Sequence, residues 1–140
     1  MNPMNHVTEK KLNNKGFSLV ELIIVIAIMA VLIGVLAPQY LKYVEKSRES
    51  ADLDNYSAII SAIEIYNSDP TNTPVAGTVE FTATNTAPTV TDVVKTALAS
   101  NGITIDNVKT KSTKYGKGKI EITSSGITIT PTDLKTALGR

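Results

Sequence analysis

At 140 residues the chain has room for one small core and an appendage, and a formal net charge of +1, from 14 Lys and Arg against 13 Asp and Glu, excludes a strongly basic nucleic-acid-binding polyelectrolyte. It contains no cysteine, so disulfides and thiolate metal sites are excluded and packing alone must stabilise the fold. The single histidine, His6, precedes the first long apolar run, which leaves the remainder without the usual nucleophile-base pairs or transition-metal ligands. Neither an enzyme nor a cofactor is predicted.

Lys10, Lys11 and Lys15 lead into Gly16-Phe17-Ser18-Leu19-Val20-Glu21, and every residue from Leu22 through Ala37 is apolar or Gly. Phe17 to Ala37 is 21 residues, about 31 Å as a helix and enough to span a bilayer. Glu21 interrupts the start of this segment. An ionised side chain at the centre of a membrane helix costs roughly 2.5 to 3.5 kcal/mol, so it requires a partner. No Lys, Arg or His lies between Phe17 and Tyr40, and the partner is expected to be a new chain terminus or another molecule. A cut between Gly16 and Phe17 supplies one, an α-amino group about one helical turn from Glu21. A secretory signal peptide ending at Val35-Leu36-Ala37 is opposed by the length of the run, by Glu21 and by Pro38 just after the cut. A plain signal anchor explains the length and the basic flank but not Gly16 or Glu21.

Ala27, Ala30, Gly34 and Ala37 recur at spacings of three and four, a small-residue stripe along which helix backbones can approach closely. Pro38 cannot donate to the carbonyl of Gly34 and crowds it, and Gly34 is itself a poor helix former. The Gly34–Pro38 pair is therefore a predicted weak point.

Gly16 before the cut, Phe17 after it, Glu21 four residues on, the basic residues ahead and Pro38 beyond resemble the type IV pilin family over roughly the first 50 residues. The resemblance implies a leader, residues 1–16, removed by a prepilin peptidase, with N-methylation of Phe17. It implies that residues 17–38 sit in the cytoplasmic membrane as a single pass and then in the core of an extracellular helical filament. There Glu21 of one subunit meets Phe17 of another, and the stretch before Pro38 can lose helical structure as the fibre lengthens. Implied partners are further copies of the chain, the inner-membrane platform and the assembly ATPase, with DNA or a host surface as further candidates. A pseudopilin of a secretion or competence system shares the same N-terminal residues; a membrane-anchored adhesin that never assembles predicts an uncut N-terminus.

Past Pro38, Leu41, Val44, Ala51, Ile59, Ile63 and Tyr66 keep helical spacing, with Lys42, Glu45, Lys46, Arg48, Glu49, Asp52 and Asp54 on the other faces. One helix is predicted from about Phe17 to Asn67, its amphipathic half over residues 39–67. Tyr40 and Tyr43 are expected to pack between subunits. Asp69 to Pro74 is a loop by composition. A β-rich head, residues 68–140, is predicted to follow. Its strands are Gly77 to Thr84, Ile103 to Ile105, Lys119 to Thr123 and Ile127 to Thr130, the last two joined by a turn at Ser124-Ser125-Gly126. A helix over Thr91 to Ser100, capped by Thr91 and closed by Asn101-Gly102, and a helical turn or two over Thr132 to Leu138 complete it. Lys109, Lys111, Lys114, Lys117 and Lys119 form a basic cluster that reads either as a site for DNA or an acidic surface, or as a solvated strand edge. The edge is favoured because only Tyr115 interleaves the charges. The predicted class is α+β, a long N-terminal helix with a protruding hydrophobic half and an amphipathic half packed on a three- or four-stranded antiparallel sheet.

Overall fold

The computed structural model describes residues 16–140, so His6 and the basic leader residues Lys10, Lys11 and Lys15 lie outside the described residues. Helix α1 covers Leu19–Ser68, followed by β1 (Gly77–Phe81), β2 (Thr89–Val90), α2 (Asp92–Ser100), a 3-10 turn at Ile105–Asn107, β3 (Gly118–Thr123), β4 (Gly126–Thr130) and α3 (Thr132–Ala137). The chain divides after Pro38 into two compact units.

In the first unit every described residue is exposed, including Ile23, Ile26, Met29, Leu32 and Leu36. The segment is apolar around its whole circumference, the pattern of a helix meant for an apolar surrounding rather than for water on one side. It is long and apolar enough to cross a membrane.

The second unit is built on a four-stranded antiparallel sheet in the order β2-β1-β3-β4. Strand alternation turns Val79, Phe81, Ile120, Ile122 and Ile129 inward. They meet Tyr56, Ile59, Ile60 and Ile63 of α1, with Val94 and Leu98 of α2 and Leu134 of α3, in one buried core. Tyr56 lies edge-on to Phe81, ring centroids 5.1 Å apart. Gly118 permits this contact, because a Cβ there would lie 2.6 Å from the Tyr56 hydroxyl and 2.7 Å from Leu134 Cδ2.

Several sequence expectations are corrected. Ile103 to Ile105 is not a strand: Gly102 takes φ +79° and the Ile103 amide bonds back to the Leu98 carbonyl at 3.0 Å, closing α2 before the 3-10 turn. Thr91 stands at the N-cap of α2 with no side-chain capping bond, since its Oγ1 accepts instead from the Thr78 amide at 3.0 Å. The first strand ends at Phe81, and the two-residue β2 pairs its Val90 with Val79. On α1, Leu41 and Ala51 are exposed and Tyr66 is half-buried; the inward face begins at Asp52 and is carried by Tyr56 and Ile60 besides Ile59 and Ile63. The lysine cluster is not a strand edge. Residues 109–117 form an irregular loop, and Lys119 lies on β3, which is paired on both sides with Glu80 and Thr130.

Candidate functional site

Gly16 and Phe17 precede the first helical turn. Gly16 has no heavy atom within 4 Å of where a Cβ would stand, and Phe17 is 88% exposed. Among the described residues nothing packs against either of them. The helix begins with reciprocal bonds. The Ser18 amide donates to Glu21 Oε2 at 2.9 Å, and the Glu21 amide donates to Ser18 Oγ at 3.2 Å. The Leu22 amide closes the first turn on the Ser18 carbonyl at 3.1 Å. This is a capping box, Ser at the cap and Glu three residues on, with the carboxylate placed where the helix dipole favours negative charge.

Glu21 thus accepts a backbone hydrogen bond within its own chain, which caps the helix but supplies no opposite charge. Ser18-x-x-Glu21 carries the capping-box spacing in the sequence itself, at the start of the apolar run. The bond engages Oε2, and among the described residues no cation lies within ion-pair distance of Glu21.

Ala27, Ala30, Gly34 and Ala37 are all exposed, and among the described residues nothing beyond its own helix backbone and chain neighbours lies within 4 Å of a Cβ built at Gly34. Pro38 lies inside α1, so the Gly34 carbonyl lacks its usual helical donor there.

In the second unit two carboxylates of α1 hold the loop that carries the lysines. Asp52, fully buried, accepts from the Lys111 amide at 2.8 and 3.1 Å and from the Ser112 amide at 2.7 Å. Glu45 accepts from the amide of Thr113 and, at 2.7 Å, from its hydroxyl. The Thr113 hydroxyl and amide, with a smaller contribution from Arg48, hold the Glu45 carboxyl below its ordinary range. Within the loop, Thr110 Oγ1 donates to the Gly116 carbonyl at 2.7 Å, the Tyr115 amide donates to Ser112 Oγ at 2.9 Å, and the Tyr56 hydroxyl donates to the Tyr115 carbonyl at 3.1 Å. Burial, with the nearby Asp52 charge, pushes the Tyr56 hydroxyl well above its ordinary range. The backbone of the loop is thus turned toward α1 while Lys109, Lys111, Lys114 and Lys117 are exposed. Lys114 lies over the Tyr115 ring, 5.0 Å from its centroid. Sequence reading placed Asp52 on the polar face of the helix; its burial is explained by the three amide bonds it receives.

Among the described residues no group of His, Cys, Asp or Glu could hold a metal ion.

Residues 11–37 match the family model described as the prokaryotic N-terminal methylation motif. The chain is also similar to fimbrial protein EcpC of Eikenella corrodens, 35% identical over 108 residues that cover 74% of this chain and 67% of the relative. No solved structure matches it.

Proposed function

Because this chain belongs to the type IV pilin family, we propose that it is made as a membrane-anchored precursor, cut between Gly16 and Phe17, methylated at Phe17, and stacked into a helical surface filament. In this reading residues 1–16 are the leader, 17–38 the membrane segment and later filament core, 39–67 the amphipathic helix and 68–140 the head. The observation that carries it is the first unit. A helix apolar on all sides, exposed throughout among the described residues, lies within a methylation-motif match that spans the proposed cut. Such a surface must be covered by lipid or by copies of itself. The small residues Ala27, Ala30, Gly34 and Ala37 would let the copies approach, and Glu21 would receive the α-amino group of Phe17 from an incoming subunit. The peptidase, the membrane platform and the assembly ATPase are the partners this route requires.

A pseudopilin has the same N-terminal chemistry. The likeness to a fimbrial protein favours the surface pilus. Intact mass of chains sheared from the cell surface tests the proposal. A species beginning at methylated Phe17 is expected, and a mature chain beginning at Met1 or Pro38 would overturn it.

A further inference from the structure

Two of the five tyrosines are exposed. Tyr40 is 67% and Tyr43 72% exposed, with Leu41 between them at 66%, and neither hydroxyl makes a hydrogen bond among the described residues. Tyr56 and Tyr115, by contrast, are buried. Lys42 and Lys46 share the same stretch of α1, both exposed and neither in an ion pair among the described residues. An exposed apolar ring with a polar tip, next to a lysine on a long apolar stem, suits a boundary between hydrocarbon and water rather than bulk water.

The position agrees with that chemistry. Tyr40 lies two residues and Tyr43 five residues past Pro38 on α1, about 3 Å and 7.5 Å along a helix. A bilayer about 30 Å thick in hydrocarbon and 40–45 Å overall has a headgroup layer of roughly 5 to 8 Å on each side. Both rings reach that layer when residues 17–38 fill the hydrocarbon, as does Lys42, while Lys46, eight residues and about 12 Å past Pro38, reaches it by extending its long stem back.

We propose that Tyr40, Tyr43, Lys42 and Lys46 form an interfacial collar that seats in the phospholipid headgroup layer and fixes the depth of the inserted subunit before it enters a filament. The inference rests on the reading of residues 17–38 as a membrane span. The tyrosine rings would engage the carbonyl and glycerol region of any phospholipid, and the two ammonium groups would engage its phosphates. The collar thus holds the segment at one depth, with Glu21 at a fixed height for the arriving amine.

The chain has no tryptophan, so a single introduced indole reports cleanly. Full-length Leu32→Trp is reconstituted, dilute, into phosphatidylcholine vesicles whose lipids carry bromine either near the headgroup or deep in the acyl chain. Deep bromines are expected to quench it more strongly than shallow ones. The same reporter carrying Tyr40→Ser and Tyr43→Ser is expected to change its shallow-to-deep quenching ratio; an unchanged ratio would overturn the collar while leaving the membrane span intact. Quenching of Leu32→Trp by neither lipid would remove the span itself, and the collar with it. Adding phosphatidylglycerol is expected to restore part of the lost depth control when Lys42 and Lys46 are present. Restoration of the same size in a chain also carrying Lys42→Ser and Lys46→Ser would exclude the lysines from the collar.

Discussion

The Ser18 amide that donates to Glu21 belongs to the first peptide bond after the proposed cut, so removal of residues through Gly16 leaves the capping box whole. The carboxylate caps its own helix through Oε2, and in the proposed assembly it would also receive a cationic amine from an incoming chain. Glu21→Gln separates them, because glutamine is accepted at this position of a capping box but carries no charge. Glu21→Ala removes both, and an uncompensated buried amine typically costs about 3 to 5 kcal/mol. Both variants are expected to be cut normally and to stay in the membrane fraction, with Glu21→Asp intermediate. Normal filaments from Glu21→Gln would mean that the cap and not the charge is what assembly needs. At Asp52 the same logic applies within the head. Asn offers one acceptor where the carboxylate receives the Lys111 and Ser112 amides on two, and an unsatisfied buried amide costs about 1 to 3 kcal/mol. A lowered melting temperature of the head in Asp52→Asn is expected, and an unchanged one would refute the clasp. Glu45 adds a pH dependence of definite sign. Its folded pKa lies below the ordinary 4.5, so its contribution is present above that value and is lost as pH falls through the depressed folded pKa. Melting followed from pH 6 downward should show a shallower acid loss in Glu45→Gln.

Among the elements, those with the strongest period were legible and those set by a single bond were not. Val79 and Phe81, Ile120 and Ile122, and Ile127 and Ile129 alternate over enough residues to announce β1, β3 and β4. The two residues of β2 are too few to carry a period. Ile103-Thr104-Ile105 alternates equally well, yet Gly102 and the bond from the Ile103 amide to Leu98 turn the chain into a helix closure. Asp52 was unreadable because a carboxylate on an amphipathic helix reads as solvent-facing unless the amides that satisfy it, from residues 59 and 60 positions later, are known. The helical stripe located Ile59 and Ile63 but passed over Tyr56 and Ile60, which complete the same buried face. Ile63→Ala is expected to destabilise the head by roughly 2 to 5 kcal/mol in denaturant unfolding. Gly118→Ala should cost about 1 to 3 kcal/mol by forcing Tyr56 and Leu134 apart. If Ile63→Ala melts like the parent, the helix face has been misplaced.

At the scale of the molecule, the buried core and the proposed packing face lie in different units, and that separation can be tested directly. Among the described residues the buried side chains all lie past Pro38, whereas Ala27, Ala30, Gly34 and Ala37 are exposed in the first unit. Ala30 and Gly34 are both exposed, and among the described residues a Cβ at Gly34 meets nothing within 4 Å beyond its own helix backbone and chain neighbours. Leucine there also favours helix by up to about 1 kcal/mol over glycine, so any loss of function cannot be charged to a weakened helix. If the small-residue stripe is where neighbouring copies approach, the added volume separates their backbones and forfeits the close packing that holds helices together in an apolar setting. Ala30→Leu and Gly34→Leu are therefore expected to leave head melting unchanged and cutting after Gly16 intact, while sharply reducing the sheared-filament fraction relative to the membrane fraction. Gly34→Leu carries a second consequence, since it reinforces the helix beside Pro38 and should make any fibre that does form less extensible under load. Parental yields of filament from both variants would place the packing face elsewhere on the helix.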